Sequence, residues 1–159
     1  MKGTVTNPHA LIPRPANDGS NPLYLIDSGA DIPLHKAADN GDKVVMQMLL
    51  DTGADIDKVD WYGDTPLYVA ARKGHKGVVK LLIEAEADPD MENKFGSTPL
   101  HVAISNDHKD VIKLIVAGGA KLNKKDIWEK TPLHIAVHFC KKDVVKLLVD
   151  NGADPNISD

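Results

Sequence analysis

The stretch "DWYGDTPLYVAARKGHKGVVKLLIEAEADPD", Asp60 to Asp90, carries the signals that decide the fold. Thr65 stands directly before an apolar run, where its hydroxyl can accept from an orphan backbone N–H and cap a helix. Pro66 then takes the first helical position, where its missing donor costs nothing and its φ is already helical. Leu67, Ala70 and Ala71 make a short apolar face, and the alanines let another helix come close. Gly74 supplies the positive φ that ends this first helix. Val78, Val79, Leu81, Leu82 and Ile83 follow the spacing of a second helix. Pro89, in "EADPD", stops that helix in turn chemistry. The residues from such a turn to the next tight turn, of the kind held by Gly63, form an extended finger.

The same signals recur along the chain. "PLHKAA" begins at Pro33, "PLYVAA" at Pro66, "PLHVAI" at Pro99 and "PLHIAV" at Pro132, always 33 residues apart. A second marker keeps the step: "GADID" at Gly53, "EADPD" at Glu86, "GAKLN" at Gly119 and "GADPN" at Gly152. A unit of helix, turn, helix and finger is too short to bury its own apolar face. Stacked neighbours bury a continuous aliphatic core instead, giving a one-dimensional array. The 33-residue period with its two markers resembles the ankyrin repeat family. The resemblance implies an all-α, ankyrin-repeat solenoid of about four helix-turn-helix units with extended, β-hairpin-like fingers. The units run approximately 27–58, 59–91, 92–124 and 125–157, within an array spanning 23–159. Residues 1–22, with Pro8, Pro13, Pro15 and Pro22 and no periodicity, read as an extended or disordered lead-in. "DSGADI" from Asp27 to Ile32 fits either a decayed finger or the end of a vestigial second helix, "LYLID", whose own finger is deleted.

Departures from the pattern locate weak points. Ile32 replaces the capping threonine of the first unit, a loss on the order of 1 kcal/mol, and Asp31 is the candidate substitute cap. Tyr68 replaces the histidine found at His35, His101 and His134. In the family this histidine bonds between neighbouring loops, a task the Tyr68 hydroxyl would perform in a different geometry. Asp107 and Cys140 hold the turn position of Gly41 and Gly74, and Glu86 stands where the other units have glycine. All three are expected in left-handed backbone, which asparagine, aspartate and above all glycine tolerate best.

Composition excludes several function classes. The net charge of -4 with both signs interspersed opposes a nucleic-acid binder and an anionic membrane surface. A single cysteine excludes an internal disulfide and fits a reducing compartment. No signal-peptide core or membrane-length apolar run is present, so the expected setting is intracellular and cytoplasmic. Neither GxSxG nor a P-loop occurs, and no catalytic residue, cofactor or metal site is expected. His134 and His138 have i, i+4 spacing but lack the further ligands of a zinc site. Cys140 lies beside His138, Lys141 and Lys142, a setting that can lower a thiol pKa, although a tolerated turn substitution is the simpler reading.

The register also sorts residues by surface. Finger tips and the exposed side of each first helix line the concave face through which, by the resemblance, the array meets its partner. In the second unit these are Trp61, Tyr62, Asp64, Arg72 and Lys73. In the third they are Lys94, Phe95, Ser97, Ser105 and Asn106, and in the fourth Ile127, Trp128, Lys130, His138 and Phe139. The first contributes Asp39 and Asn40. Both tryptophans, both phenylalanines and Tyr62 fall on this face, and exposed aromatics of this kind dominate interface hot spots. Tyr62, Phe95 and Trp128 precede the finger turn and have a competing role, packing against the next finger. Trp61 and Phe139 do not, and are the better anchors, with Arg72, Lys73, Lys94 and Lys130 setting charge complementarity. The lysines of the second helices, Lys76, Lys80, Lys109, Lys113, Lys142 and Lys146, read as a solvated back face.

The expected function is therefore a protein-protein interaction module and not an enzyme. The last apolar helix, "VVKLLV" at 144–149, lacks a polar outer cap. The array is accordingly expected to be a monomer, to associate end to end through that repeat, or to serve as a docking arm or regulatory (inhibitory) segment of a larger protein.

Overall fold

The computed structural model describes residues 31–158. Within them the chain forms helices α1 (Asp31–Asn40), α2 (Lys43–Asp51), α3 (Pro66–Lys73), α4 (Lys76–Glu84), α5 (Pro99–Ser105), α6 (Lys109–Ala117), α7 (Pro132–His138) and α8 (Lys142–Asp150). They pair into four layers stacked along one axis, the odd-numbered helices against one another on the finger side and the even-numbered ones behind. The array is all-α, and no strand occurs among the described residues. The lead-in and the ambiguous segment before Asp31 lie outside them.

Each first helix begins as its sequence dictates. The hydroxyls of Thr65, Thr98 and Thr131 accept from the backbone N–H groups of Tyr68, His101 and His134. His101 and His134 complete a reciprocal cap, their Nδ1 atoms accepting from the Thr98 and Thr131 N–H groups at 3.1 and 2.9 Å. α1 runs from Asp31, the first described residue, and the expected capping of that helix lies outside the described residues.

The other ring nitrogens of His35 and His101 tie one layer to the next. His35 Nε2 donates to the Asp64 carbonyl at 2.8 Å and His101 to Lys130 at 3.0 Å, whereas His134 donates to Ile157, in the tail of its own unit, at 2.9 Å. Tyr68 takes the same place through its hydroxyl, which donates to Ser97 Oγ at 3.2 Å, a side chain instead of a carbonyl. A second histidine pair works on the far side of the first helices. His75 Nε2 reaches the Asp39 carbonyl and His108 Nε2 the Arg72 carbonyl, both at 2.9 Å. These imidazoles occupy the N-cap positions of α4 and α6 but make no side-chain cap there, because they are committed to the preceding layer.

All four inter-helix turns are left-handed: Gly41 has φ 69°, Gly74 77°, Asp107 58° and Cys140 56°. Glycine is required at the first two for a second reason, since a Cβ on Gly41 or Gly74 would fall within 2.6 Å of the His75 or His108 ring. Where Asp107 replaces the glycine, the facing histidine is replaced too: Lys141 stands there, and its Nζ bonds the Asp107 carboxylate at 3.0 Å. Glu86 is also left-handed, at φ 67°. Cys140 holds the same left-handed backbone and is exposed. Its replacement by glycine is expected to relieve about 1 kcal/mol of backbone strain. That corresponds to a rise of roughly 3 °C in melting temperature; an unchanged or lower value in a thermal scan would contradict the strain.

The core that these links enclose is aliphatic. Leu34, Met46, Leu67, Leu82, Leu100, Ile104, Ile112, Ile115 and Leu148 are fully buried, and each large side chain contributes about 1.5–3 kcal/mol of burial. Tyr68 is the buried aromatic of the described core, and His101 its fully buried imidazole.

Candidate functional site

The finger side of the array carries three described fingers. Each closes on an aspartate or asparagine whose Oδ1 accepts two backbone N–H groups at 2.9–3.0 Å: Asp60 from Tyr62 and Asp64, Asn93 from Phe95 and Ser97, Asp126 from Trp128 and Lys130. The backbone closes the same loops, with Asp60 N donating to Asp64 O, Asn93 N to Ser97 O and Asp126 N to Lys130 O, each at 3.0 Å. Adjacent fingers are then joined by one bond each, Lys94 N to Tyr62 O at 2.9 Å and Ile127 N to Phe95 O at 3.0 Å. The tips therefore stand in fixed register, with Trp61, Lys94 and Ile127 in one row and Tyr62, Phe95 and Trp128 in the next.

The rows interact along their length. Lys94 Nζ sits 3.9 Å from the Trp61 ring centroid, a cation–π contact. The Phe95 and Trp128 rings stack with centroids 6.3 Å apart and planes 13° from parallel. Packing against the next finger is thus a role that Phe95 and Trp128 do perform. It does not cover them all: Trp61 and Trp128 are each 39 % exposed and Ile127 57 %, while Tyr62 and Phe95 are half-buried.

The helix side of the face is more polar and more internally engaged. Arg72 bonds Asp64 at 3.2 Å and lies 3.9 Å from Asp39, which Lys73 approaches at 3.4 Å. Asn106 Nδ2 donates to the Arg72 carbonyl at 3.1 Å. His138 is exposed and meets the half-buried Phe139 ring edge-on at 5.0 Å. Lys130 is half-buried, with its backbone held at both N–H and carbonyl.

Two expected contact residues are corrected. Asp64 and Ser97 have no exposed surface. Their position, just before the capping threonine, lies at the base of the finger, not its tip. Asp64 Oδ1 accepts from Asn93 Nδ2 at 2.9 Å and its Oδ2 from Arg72, so it braces the face from beneath. Ser97 accepts from Tyr68. Phe139 is also more enclosed than an anchor should be, since it packs partly against the core. Glu129, by contrast, is a strained position that neither repeat marker flags: it occupies the finger-turn position of Gly63 and Gly96 with φ 63°. Alignment of the finger glycines reveals it.

The remaining chemistry is accounted for by structure. Both His134 nitrogens are engaged, with Thr131 N and Ile157 O, so it is not poised as a ligand beside His138. Among the described residues no group of three or more His, Cys, Asp or Glu is arranged to hold a metal. Cys140 is exposed, but its neighbour Lys141 is engaged by Asp107. On the back face Lys76 pairs with Asp110 at 3.6 Å, Lys109 with Asp143 at 2.9 Å and Lys146 with Asp150 at 2.9 Å. The hydrogen bond from Lys109 holds the Asp143 carboxyl below the usual carboxylate range. Desolvation pushes the Asp57 carboxyl up, where it receives the Asp88 N–H at the joint between two layers. Three of the six back-face lysines are thus paired with aspartates. No helix among the described residues is long and apolar enough to cross a membrane.

Comparison with curated proteins finds no match. A family model described as ankyrin repeats (3 copies) matches residues 10–93 and 81–159. With the stacked helix pairs, the threonine caps and the inter-layer histidines, this match covers nearly the whole sequence, and the chain belongs to the ankyrin-repeat family.

Proposed function

We infer that the protein binds another protein through the concave groove between its finger tips and first helices, with Trp61, Ile127 and Trp128 as anchors. Ankyrin repeats are generally protein-protein interaction modules and typically non-enzymatic scaffolds. The observation that carries the choice of surface is the tip ladder. Large apolar side chains there stay partly open on a backbone held by finger-to-finger hydrogen bonds. A surface already ordered in this way binds with little loss of side-chain or loop entropy. Tyr62, Phe95 and Phe139 form the groove walls, and Asn106 and His138 its polar edge.

The basic residues have a narrower role than simple attraction of an acidic ligand. Arg72 and Lys73 face Asp39 and Asp64, and Lys94 lies on Trp61. The charges of Arg72 and Lys73 are largely met within the array, so the favoured partner segment is apolar at its centre, with neutral or mixed polar groups meeting Lys94 and Lys130 at the rim. The protein acts in the cytoplasm on this reading, and nucleic acid and membrane are not its partners.

Site-specific photo-crosslinking tests the surface and captures the partner in one step. A benzophenone side chain at Ile127 is expected to trap a discrete protein adduct in cells, whereas the same group at Lys113, on the exposed back of α6, is not. Equal adducts from both positions, or adducts from Lys113 alone, would move the binding surface off the groove.

A further inference from the structure

Consecutive layers are locked together where the two helices of each layer meet at their turn. At the first two joints the lock is neutral. His75 Nε2 donates to the Asp39 carbonyl and His108 Nε2 to the Arg72 carbonyl, both at 2.9 Å. Between the third and fourth layers it is ionic. Lys141 stands at the histidine position, and its Nζ meets the Asp107 carboxylate at 3.0 Å. Beside it Lys109, in the first turn of α6, meets Asp143, in the first turn of α8, at 2.9 Å, closer than the 3.6 Å between Lys76 and Asp110 across the joint before. All four of these side chains are open to water, so dissolved salt screens the attraction between them.

The second helices behind these locks approach one another unequally. α4 and α6 run close together, α2 and α4 less so, and α6 and α8 least, whereas the first helices stay close throughout. One position accounts for that order. The residue that ends the second helix is Ala85 after α4, Gly118 after α6 and Asn151 after α8. The Ile83 side chain of the preceding layer lies 3.0 Å from where a Cβ on Gly118 would stand, so a larger residue there holds the helices apart. Ala85 brings one methyl group. Asn151 brings a whole amide, folded back onto the Leu147 carbonyl at 2.7 Å. Side chains still seal the space between α6 and α8, since Ile112 and Ile115 are fully buried.

The rest of the same joint is held by contacts that salt does not weaken. Ile127 N donates to Phe95 O at 3.0 Å, the Phe95 and Trp128 rings stack, and His101 Nε2 donates to the Lys130 carbonyl at 3.0 Å. Beyond the second helices, Asp154 N donates to Asn123 Oδ1 at 2.9 Å. The fingers, the first helices and this last tether can therefore act as a pivot, while the helix turns are fastened by charge.

We propose that the joint between the third and fourth layers is a hinge sensitive to ionic strength, with the Asp107–Lys141 and Lys109–Asp143 pairs as its latch. As salt rises the pairs release, the turn ends of α6 and α8 part, and the fourth layer tilts as a body. Trp61 stands before the hinge and Ile127 and Trp128 beyond it, so the tilt alters the span of the tip ladder. The hinge itself does not depend on that ladder being the binding surface.

Spin labels on the exposed backs of α6 and α8, introduced by Lys113→Cys and Lys146→Cys, read the opening by pulsed electron spin resonance. Labels at Lys80→Cys and Lys113→Cys read the joint before it. The full chain carries Cys140→Gly, which removes its one native thiol. The expected result is a longer 113–146 distance component whose weight rises about tenfold between about 0.05 and 1 M sodium chloride, as for two surface ion pairs. The 80–113 distances should change little. Asp107→Gly with Lys141→His copies the neutral lock of Gly74 and His108 and should remove most of the rise, whereas Asp143→Asn should populate the longer component already at low salt. No longer component at either salt would overturn the proposal. So would an equal rise across the 80–113 pair, or an undiminished rise in Asp107→Gly/Lys141→His with its helical circular dichroism intact.

Discussion

Gly74→Ala is expected to destabilise the array by about 2–3 kcal/mol, although it adds one methyl group at a turn. Two costs combine. The backbone at Gly74 has φ 77°, a conformation that costs an L-residue about 1 kcal/mol relative to glycine. The new Cβ would also lie 2.5 Å from His108 Nδ1 and 2.6 Å from Cε1, so the imidazole must leave. Its departure breaks the 2.9 Å bond from His108 Nε2 to the Arg72 carbonyl, a link between consecutive layers worth about 1 kcal/mol. The combined loss corresponds to roughly 8 °C in melting temperature. The molecule itself indicates the rescue. One joint further on, the glycine–histidine pair is replaced by Asp107 and Lys141, joined at 3.0 Å. Gly74→Asp alone should therefore be harmful, and Gly74→Asp with His108→Lys should recover most of the loss, a coupling visible in a double-mutant cycle. Unchanged stability of Gly74→Ala, or strict additivity of the pair, would show that the turn and the facing side chain do not act together.

That coupling also marks the limit of what one sequence reveals. The 33-residue step, the threonine caps with proline at N1 and the left-handed turns at Asp107, Cys140 and Glu86 follow from local backbone chemistry. Local rules act within a few residues and are legible in the order of amino acids. The partnership between Gly74 and His108 spans 34 positions and depends on how two layers stack, so nothing local marks His75 and His108 as linkers. The same distinction divides the candidate site. Register places Trp61, Ile127 and Trp128 on the open face, and they lie there. Asp64 and Ser97 share that register argument but sit under the neighbouring finger, because whether a finger residue is tip or base depends on the hydrogen bonds that fold the loop. Arg72 and Lys73 read as free positive charges, whereas Asp39, from the preceding layer, meets both.

The groove assignment makes the second large prediction, and Phe139 shows why its form matters. Register alone suggests Trp61→Ala with Phe139→Ala as the test pair, but Phe139 packs partly on the core and its loss would mix stability with binding. Ile127 is the cleaner companion: it is more than half exposed, and only its backbone N–H is tied, to Phe95. Trp61 and Ile127 stand at the two ends of one tip row, so together they sample the length of the groove. Truncating a tryptophan at an interface centre commonly costs about 2 kcal/mol or more, and an exposed isoleucine adds about 1. The decisive measurement is a calorimetric titration of the partner identified by the Ile127 crosslink against the wild-type array and Trp61→Ala/Ile127→Ala, with far-ultraviolet circular dichroism and melting temperature taken on both. The groove reading predicts a Kd raised by about a hundredfold with helical signal and stability preserved; an unchanged Kd in a folded double variant would contradict it.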